Sequence, residues 1–161
     1  MTIYTFNADS KKTDWFTLDD VVMGGQSVGS FTIHPEGYGV FKGKVSLENN
    51  GGFSSVRHQF STKNTTNFSY FRIVLRGDGK PYQFRVKSDK NNQYSYAATF
   101  NTQTKWETID IPYASLLPVF RGRKLNMPHF NGVALSEIGF LIGNKKAQEF
   151  QLEIKSIQLI N

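Results

Sequence analysis

The side chains that could perform acid–base or metal chemistry in this sequence are the adjacent carboxylates of Asp19 and Asp20 and three isolated histidines. Carboxylates bind hard cations or accept protons, and histidine can be a general base or a metal ligand. The histidines without a partner at metal-ligand spacing are His34, His58 and His129. If residues 53–60 form a strand, Ser55 and His58 point to opposite faces, which disfavours a serine–histidine pair. The chain has no cysteine, which excludes thiolate metal sites and cysteine nucleophiles. Because the remaining candidates form no visible catalytic constellation, the sequence predicts no catalytic residues, no metal site and no cofactor.

Two adjacent glycines, Gly24 and Gly25, follow the aspartate pair, and the surrounding residues fit neither the Walker pattern nor the dinucleotide-binding pattern. One interpretation is a tight loop in which glycine permits positive φ or a close backbone approach. The other is a loop that presents backbone N–H groups to a ligand. In the first interpretation Asp19 and Asp20 are a turn or strand-end feature.

Arginines on three predicted strands could together bind an anion, because arginine suits bidentate contact with carboxylate or phosphate. With the apolar positions of each strand facing the core, the outward set is Ser55, Arg57, Arg72, Arg76, Gln83, Arg85 and Lys87. If some of these strands share a sheet, one outer face carries several guanidinium groups. Like charges on one face repel unless water, carboxylates or a bound anion compensates them.

The next predicted strand could add either Tyr94 and Tyr96 or Ser95 and Thr99 to this face. The alternative to a ligand-binding face is a set of solvated arginines, some of them paired with carboxylates. The candidate carboxylates are Asp20, Asp78 and Glu107.

Apolar and polar residues alternate with period two along most of the chain, which is typical of strands that bury one face. The predicted strands are residues 29–34, 41–48, 52–60, 71–76, 82–87, 93–101, 106–111, 137–142 and 150–155. Residues 49–52 and 77–79 are rich in Asn, Asp and Gly and should reverse the chain between the strands that flank them. A short helix is predicted at residues 113–117. Many strands with turns about every ten residues predict an all-β fold, an antiparallel β-sandwich of jelly-roll type.

The 161 residues fit one domain, residues 1–161, and carry a formal net charge of +6 from 19 Lys and Arg against 13 Asp and Glu. A general attraction to anionic partners follows from this charge, but no basic run is long enough to indicate a nucleic-acid-binding arm. The N-terminal residues lack a secretory signal pattern, and no apolar stretch is long enough to cross a bilayer. We therefore expect a cytoplasmic protein with no membrane insertion.

Several motifs resemble the complex I intermediate-associated protein family, the thirty-kilodalton class. After Trp15, residues 19–27 read DDVVMGGQS and resemble its opening block, and residues 41–57 read FKGKVSLENNGGFSSVR and resemble its most specific block. The later blocks follow in the same order as RGDG at 76–79, IP at 111–112, RG at 121–122, IGFLI at 138–142 and FQLEI at 150–154. The resemblance extends from Trp15 almost to the C-terminus.

The resemblance implies a galactose-binding-like jelly roll, related in shape to carbohydrate-binding modules. It also implies a non-catalytic assembly factor that works through protein contacts during the building of respiratory complex I. An alternative is a glycan or small acidic-ligand binder that uses the basic outer face. A third is RNA binding, since some plant and cyanobacterial relatives are linked to RNA.

Polar residues of the matching motifs, together with the outward arginines and the double glycine, form the candidate ligand-binding set. The set is Asp20, Gly24, Gly25, Ser27, Asn50, Ser55, Arg57, Arg76, Arg85 and Arg121. The central expectation is that guanidinium groups from neighbouring strands converge on one water-accessible concavity beside the double-glycine loop. A network of paired aspartates and arginines with a purely structural role would produce the same residue types.

Overall fold

The computed structural model describes residues 1–20, 24–48 and 52–161, and these residues contain thirteen β-strands in two antiparallel sheets. The strands are β1 Thr2–Thr5, β2 Phe16–Asp19, β3 Val28–Ile33, β4 Gly39–Val45, β5 Ser54–Lys63, β6 Tyr70–Arg76, β7 Tyr82–Lys87, β8 Ser95–Phe100, β9 Glu107–Pro112, β10 Leu117–Phe120, β11 Arg123–Lys124, β12 Leu135–Ile142 and β13 Gln148–Ile160. The prediction of an all-β antiparallel sandwich is confirmed.

One sheet has six strands in the order β3-β4-β13-β6-β9, with β1 pairing to β13. The long strand β13 pairs with β4 through its first half and with β1 through its second half. The other sheet has seven strands in the order β11-β10-β8-β7-β12-β5-β2. At its centre β12 lies between β5 and β7, so the outward residues of these three strands are neighbours.

The apolar residues of each alternating strand form a core between the two sheets. The predicted inward residues of β6 and β7 are all buried, and these are Phe71, Ile73, Leu75, Tyr82, Phe84 and Val86. The rings of Phe71 in the six-stranded sheet and Phe84 in the seven-stranded sheet meet with centroids 5.0 Å apart. Phe84 also contacts Phe140 of β12 at 5.4 Å. Aromatic contacts of this kind join the sheets and hold the strands that carry the outward arginines.

The two predicted turns do not join paired strands. Strands β4 and β5 belong to different sheets, as do β6 and β7, so both connections cross from one sheet to the other. Residues 49–51 of the first turn lie outside the described residues. In the second turn, Asp78 accepts hydrogen bonds from Tyr82 Oη at 3.0 Å and from the backbone N of Gln151 at 2.9 Å. A turn motif specifies local backbone conformation, whereas strand pairing depends on distant segments, and this explains the error.

The predicted helix at residues 113–117 is a single 3-10 turn, Tyr113–Ser115, and Leu117 already belongs to β10. The sequence reasoning missed β1, β2, β10 and β11, each of four residues or fewer. Such short strands contain too few residues for alternation to be recognised. Within the described residues, no helix has the length and apolar character needed to cross a bilayer.

Candidate functional site

Two of the predicted arginines lie side by side on the outer face of the seven-stranded sheet. Gly139 of β12 is the cross-strand partner of Arg57 on one side and of Arg85 on the other. Because Gly139 has no side chain, a small gap remains above its buried backbone, between the two arginine side chains. The pocket at this place, here called the arginine pocket, is lined by Ser55, Arg57, Arg85, Ser95, Glu137, Gly139 and Phe140.

The charged groups around the arginine pocket are unusually buried for an outer sheet face. The side chains of Arg57 and Glu137 are 18% and 6% exposed, and Lys87 is 8% exposed as a whole residue. The chain that follows β7 turns back toward this strand, and Lys87 Nζ donates a hydrogen bond to the backbone O of Asn92 at 2.6 Å. Charged residues are rarely this buried without a partner, so their contacts decide what the pocket can bind.

The hydrogen bonds of the pocket leave its positive charge incompletely matched. Arg57 Nη1 lies 3.8 Å from Glu137 Oε2, while Glu137 Oε1 accepts a hydrogen bond from Gln59 Nε2 at 2.8 Å. Arg85 Nε donates to the neutral side-chain oxygen of Gln83 at 2.9 Å. In the part of the chain that the structure describes, Arg85 has no carboxylate partner.

Burial and mutual repulsion both lower pKa values among the cations around the pocket. Burial lowers the pKa of Arg57, and the nearby Glu137 offsets part of this effect. Burial and the positive charge of Arg57 lower the pKa of Arg85 to about 10. Burial also lowers the pKa of Lys87, and both arginines contribute in the same direction. The two guanidinium groups stay charged at neutral pH, so the pocket is suited to hold a small anion.

Gly139 should not tolerate a side chain. A Cβ at this position would lie 2.6 Å from the backbone O of Val56 and 3.3 Å from Arg57 Cγ. We expect Gly139→Ala to lower the free energy of unfolding by about 1–3 kcal/mol, because the neighbouring strand must shift to make room. Urea denaturation measures this loss. Thr99→Ala, at an exposed position of β8 in the same sheet, is the control. An equal effect of both substitutions would contradict the steric argument.

Arg76 does not share this face. It lies on β6 of the six-stranded sheet, so the predicted convergence of Arg76 with Arg57 and Arg85 is wrong. Its guanidinium makes a two-bond contact with Glu153, at 2.7 and 3.1 Å, and lies 4.7 Å from the centre of the Trp106 ring. The sequence indicated the outward direction of each arginine but not which strands share a sheet.

The carboxylates that pair with the strand arginines also differ from the predicted ones. Arg72 contacts Asp110 at 2.9 and 3.1 Å. The partners in the structure are therefore Glu137, Asp110 and Glu153, not Asp20, Asp78 or Glu107. Each of these pairs joins residues on adjacent strands, which the sequence alone could not align.

The double-glycine loop forms a separate cluster around Asp20. The buried Asp20 carboxylate accepts hydrogen bonds from the backbone N and Oγ of Ser27 and from the backbone N of Gly52 and of Phe53. Gly24 has φ +87°, and a Cβ on Gly25 would overlap the Asp20 carboxyl group. These contacts support the interpretation of a tight structural loop. None of these residues is among those that line the arginine pocket, so the described residues do not form the predicted single concavity beside this loop.

The other candidates divide between those that line the pocket, one that lies away from it and one outside the described residues. Asn50 lies outside the described residues. Arg121 sits in the turn between β10 and β11 with φ +50°, and its guanidinium lies 5.3 Å from the Phe120 ring centre. Ser55 lines the pocket, and its hydroxyl donates to the backbone O of Leu18 at 2.6 Å. Of the two alternatives for β8, Ser95 lines the pocket, whereas Tyr96 packs inward on Phe130 at 5.5 Å.

The histidines make local contacts. His58 stacks on Trp15 at 5.2 Å, His34 stacks on Tyr38 at 4.4 Å, and His129 Nδ1 lies 2.7 Å from the backbone O of Phe130. Within residues 1–20, 24–48 and 52–161, no three side chains of His, Asp or Glu form a group that could hold a metal ion.

Sequence reasoning missed Glu137 and Gly139 as pocket residues. Both lie in a predicted strand, and the outward position of Glu137 follows from the inward position of Ile138 and Phe140. What the sequence did not indicate is that β12 lies between β5 and β7. The available signal for a pocket residue was Glu137 itself, a carboxylate at an outward position of an otherwise apolar strand.

Comparison with known proteins identifies one family and one structural class. The family model described as complex I intermediate-associated protein 30 matches residues 4–154. Among curated proteins no match is found. A family 11 carbohydrate-binding module from Clostridium thermocellum, solved with a β-1,3-1,4-mixed-linked tetrasaccharide, has a TM-score of 0.73 at 14% identity over 98% of this chain and 95% of that one. An agarase has a TM-score of 0.66 at 11% identity over 98% of this chain and 24% of its own. These likenesses show the jelly-roll fold.

Proposed function

This chain belongs to the complex I intermediate-associated protein 30 family, and on that premise we propose that it is a binding module that acts as an assembly factor through protein contacts. Its client in this proposal is respiratory complex I or one of its assembly intermediates. It performs no catalytic step of its own and needs no cofactor. The family match over residues 4–154 is the observation that carries the proposal.

The outer face of the seven-stranded sheet supports a protein contact. One row of cross-strand neighbours runs from Phe16 through Arg57, Gly139 and Arg85 to Ala97. Phe16 is 42% exposed at one end of this row. Arginine and aromatic side chains are enriched in protein interfaces and dominate their binding energy. A partner that covers this row would bury the Phe16 ring and the arginine pocket together.

Glycan binding is the second candidate, favoured by the structural likeness to a family 11 carbohydrate-binding module. The central strands of the outer face offer a different chemistry, however. The outward side chains that surround Gly139 are Ser55, Arg57, Gln59, Gln83, Arg85, Lys87, Glu137 and Leu141; four of them are charged and none is aromatic. Ligand sites for apolar or amphipathic molecules are lined mainly by hydrophobic and aromatic groups. These charged groups therefore favour an acidic partner over a neutral sugar.

Affinity capture from the cells that make this protein tests the assembly function. The wild-type chain is the bait, and a family 11 carbohydrate-binding module is the control bait because it has the same fold. We expect complex I subunits to be enriched on the wild-type bait, and assembled complex I to decrease on native gels when the protein is deleted. Unchanged complex I levels without enrichment of any subunit would refute the assembly function. Shifts at outward residues of β7 and β12 during titration with the mixed-linked tetrasaccharide would support the glycan alternative.

A further inference from the structure

Arg85 is a half-buried cation with an unused binding edge. Its Nε donates to Gln83 Oε1, while its two Nη groups have no hydrogen-bond or ion-pair partner among the described residues. Arg72 and Arg76 are different, because each makes two hydrogen bonds to one carboxylate. The Nη edge of a guanidinium is a pair of parallel donors that fits the two oxygens of a carboxylate. In Arg85 this edge is available.

The surroundings of Arg85 also lack negative charge. Arg57 stands across Gly139 from it, and Lys87 lies two residues along the same strand. Against these three cations the described part of the pocket holds one carboxylate, Glu137, which is shared between Arg57 and Gln59. Charges removed from water are stable when paired. Burial and the neighbouring charge hold the pKa of Arg85 at about 10, the direction expected where compensation is incomplete.

The size of the pocket limits what can enter it. The arginine pocket has room for about one water-sized group above the bare backbone of Gly139, with Ser95 at its wall. A sugar ring exceeds this space, and so does a whole carboxylate, so an acidic group contacts the guanidinium of Arg85 at the mouth of the pocket. The fork of the guanidinium matches carboxylate and phosphate alike, but the carboxylate is the smaller group and so is better suited to this narrow site.

We propose that the arginine pocket binds a single carboxylate of an acidic side chain on the protein partner, held by the Nη edge of Arg85 and by the charge of Arg57. This inference rests on the proposed function, since it specifies the chemistry by which the assembly partner is recognised. Lys87 adds positive charge near the pocket, and one of its three donors is used by the backbone O of Asn92.

NMR titration of the arginine side-chain signals tests the proposal. The probes are a capped Gly-Glu-Gly peptide, the same peptide with glutamine, sodium acetate and inorganic phosphate. We expect the glutamate peptide to shift the Nε signals of Arg57 and Arg85 and to leave those of Arg72 and Arg76 in place. Arg85→Gln should weaken binding by about tenfold or more, the range of a charge-assisted hydrogen bond. Arg85→Lys should recover little, since lysine lacks the fork.

Lys42→Gln is the matched control, because it removes one positive charge from an exposed position of the six-stranded sheet. It should leave the titration unchanged. Thermal unfolding of each variant separates lost binding from lost folding. Absence of shifts at Arg57 and Arg85 overturns the proposal. Acetate offers the same carboxylate and should shift the same two arginine signals, so its failure to do so also overturns the proposal. Tighter binding of phosphate overturns the assignment to a carboxylate.

Capture experiments separate this inference from the assembly function. If the Arg85→Gln bait retains complex I subunits as well as the wild-type bait does, the assembly function stands and the role of the pocket is refuted. If neither bait retains them while the glutamate peptide still binds, the carboxylate site stands and the assembly function is refuted.

Discussion

Replacing Phe84 with alanine should lower the free energy of unfolding by about 3–5 kcal/mol. The Phe84 side chain is fully buried and contacts Phe71 of the opposite sheet and Phe140 of the neighbouring strand. Its removal leaves a cavity between the two sheets, and rigid strands cannot collapse to fill it. For a chain of this length the loss corresponds to a fall in Tm of about 6–20 °C.

Differential scanning calorimetry or urea denaturation measures the effect of Phe84→Ala. Phe16→Ala is the control, because Phe16 is 42% exposed on an edge strand. Its change should stay within about 0.5 kcal/mol. Similar losses for the two variants would show that Phe84 does not join the sheets. Because Phe84 lies next to Arg85, the variant should also weaken carboxylate binding at the arginine pocket.

Asp20→Ala should lower the free energy of unfolding by about 3–5 kcal/mol as well, for a different reason. The carboxylate of Asp20 accepts four hydrogen bonds from Ser27, Gly52 and Phe53. Alanine leaves three backbone N–H groups without their acceptor, while the Ser27 hydroxyl can still donate to the backbone O of Ser46 at 3.2 Å. Each buried donor that loses its partner costs about 1–3 kcal/mol unless water reaches it. Asp9→Ala, at an exposed aspartate, should have little effect. Urea denaturation at neutral pH makes the comparison.

The contribution of Asp20 should depend on pH in a defined direction. Burial acts to raise the pKa of Asp20, but the hydrogen bonds from Ser27, Gly52 and Phe53 outweigh burial and hold the pKa below its usual value. A folded-state pKa below the unfolded value means that the stabilisation is complete above the unfolded pKa, about 3.9. It is lost as the pH falls through the folded pKa. The gap in stability between wild type and Asp20→Ala should therefore narrow below about pH 4, and a gap constant down to pH 2 would contradict this account.

The strand core was predictable because the direction of a side chain in a strand depends on its immediate neighbours. Phe71, Ile73 and Leu75 alternate with polar residues, and all three are buried as expected. The outward direction of Arg57 and Arg85 follows from the same alternation. The existence of a short strand such as β1 or β11 was not predictable, since two to four residues give no alternation to recognise.

The composition of the site was only partly predictable. In the motif that begins at Asp19, the carboxylate of Asp20 holds a loop in place. From the sequence alone, the polar residues of this motif fitted a ligand-binding site as well as they fitted this structural role. The residue types of a structural network and of a binding site are the same, and their difference lies in which partners are within reach. Asp78 shows this too, because its carboxylate holds the backbone of Gln151, 73 positions away in the chain.

The order of the residues by itself established the all-β class, the buried face of each strand and the outward direction of the arginines. It could do so because a period of two is a property of the extended backbone. The pairing of distant segments decided the rest. It placed β12 between β5 and β7, brought Glu137 beside Arg57, and sent Arg76 to the opposite sheet. Strand order is set by contacts between residues that are far apart in sequence, so the local pattern leaves it undetermined until the two sheets have formed around their core.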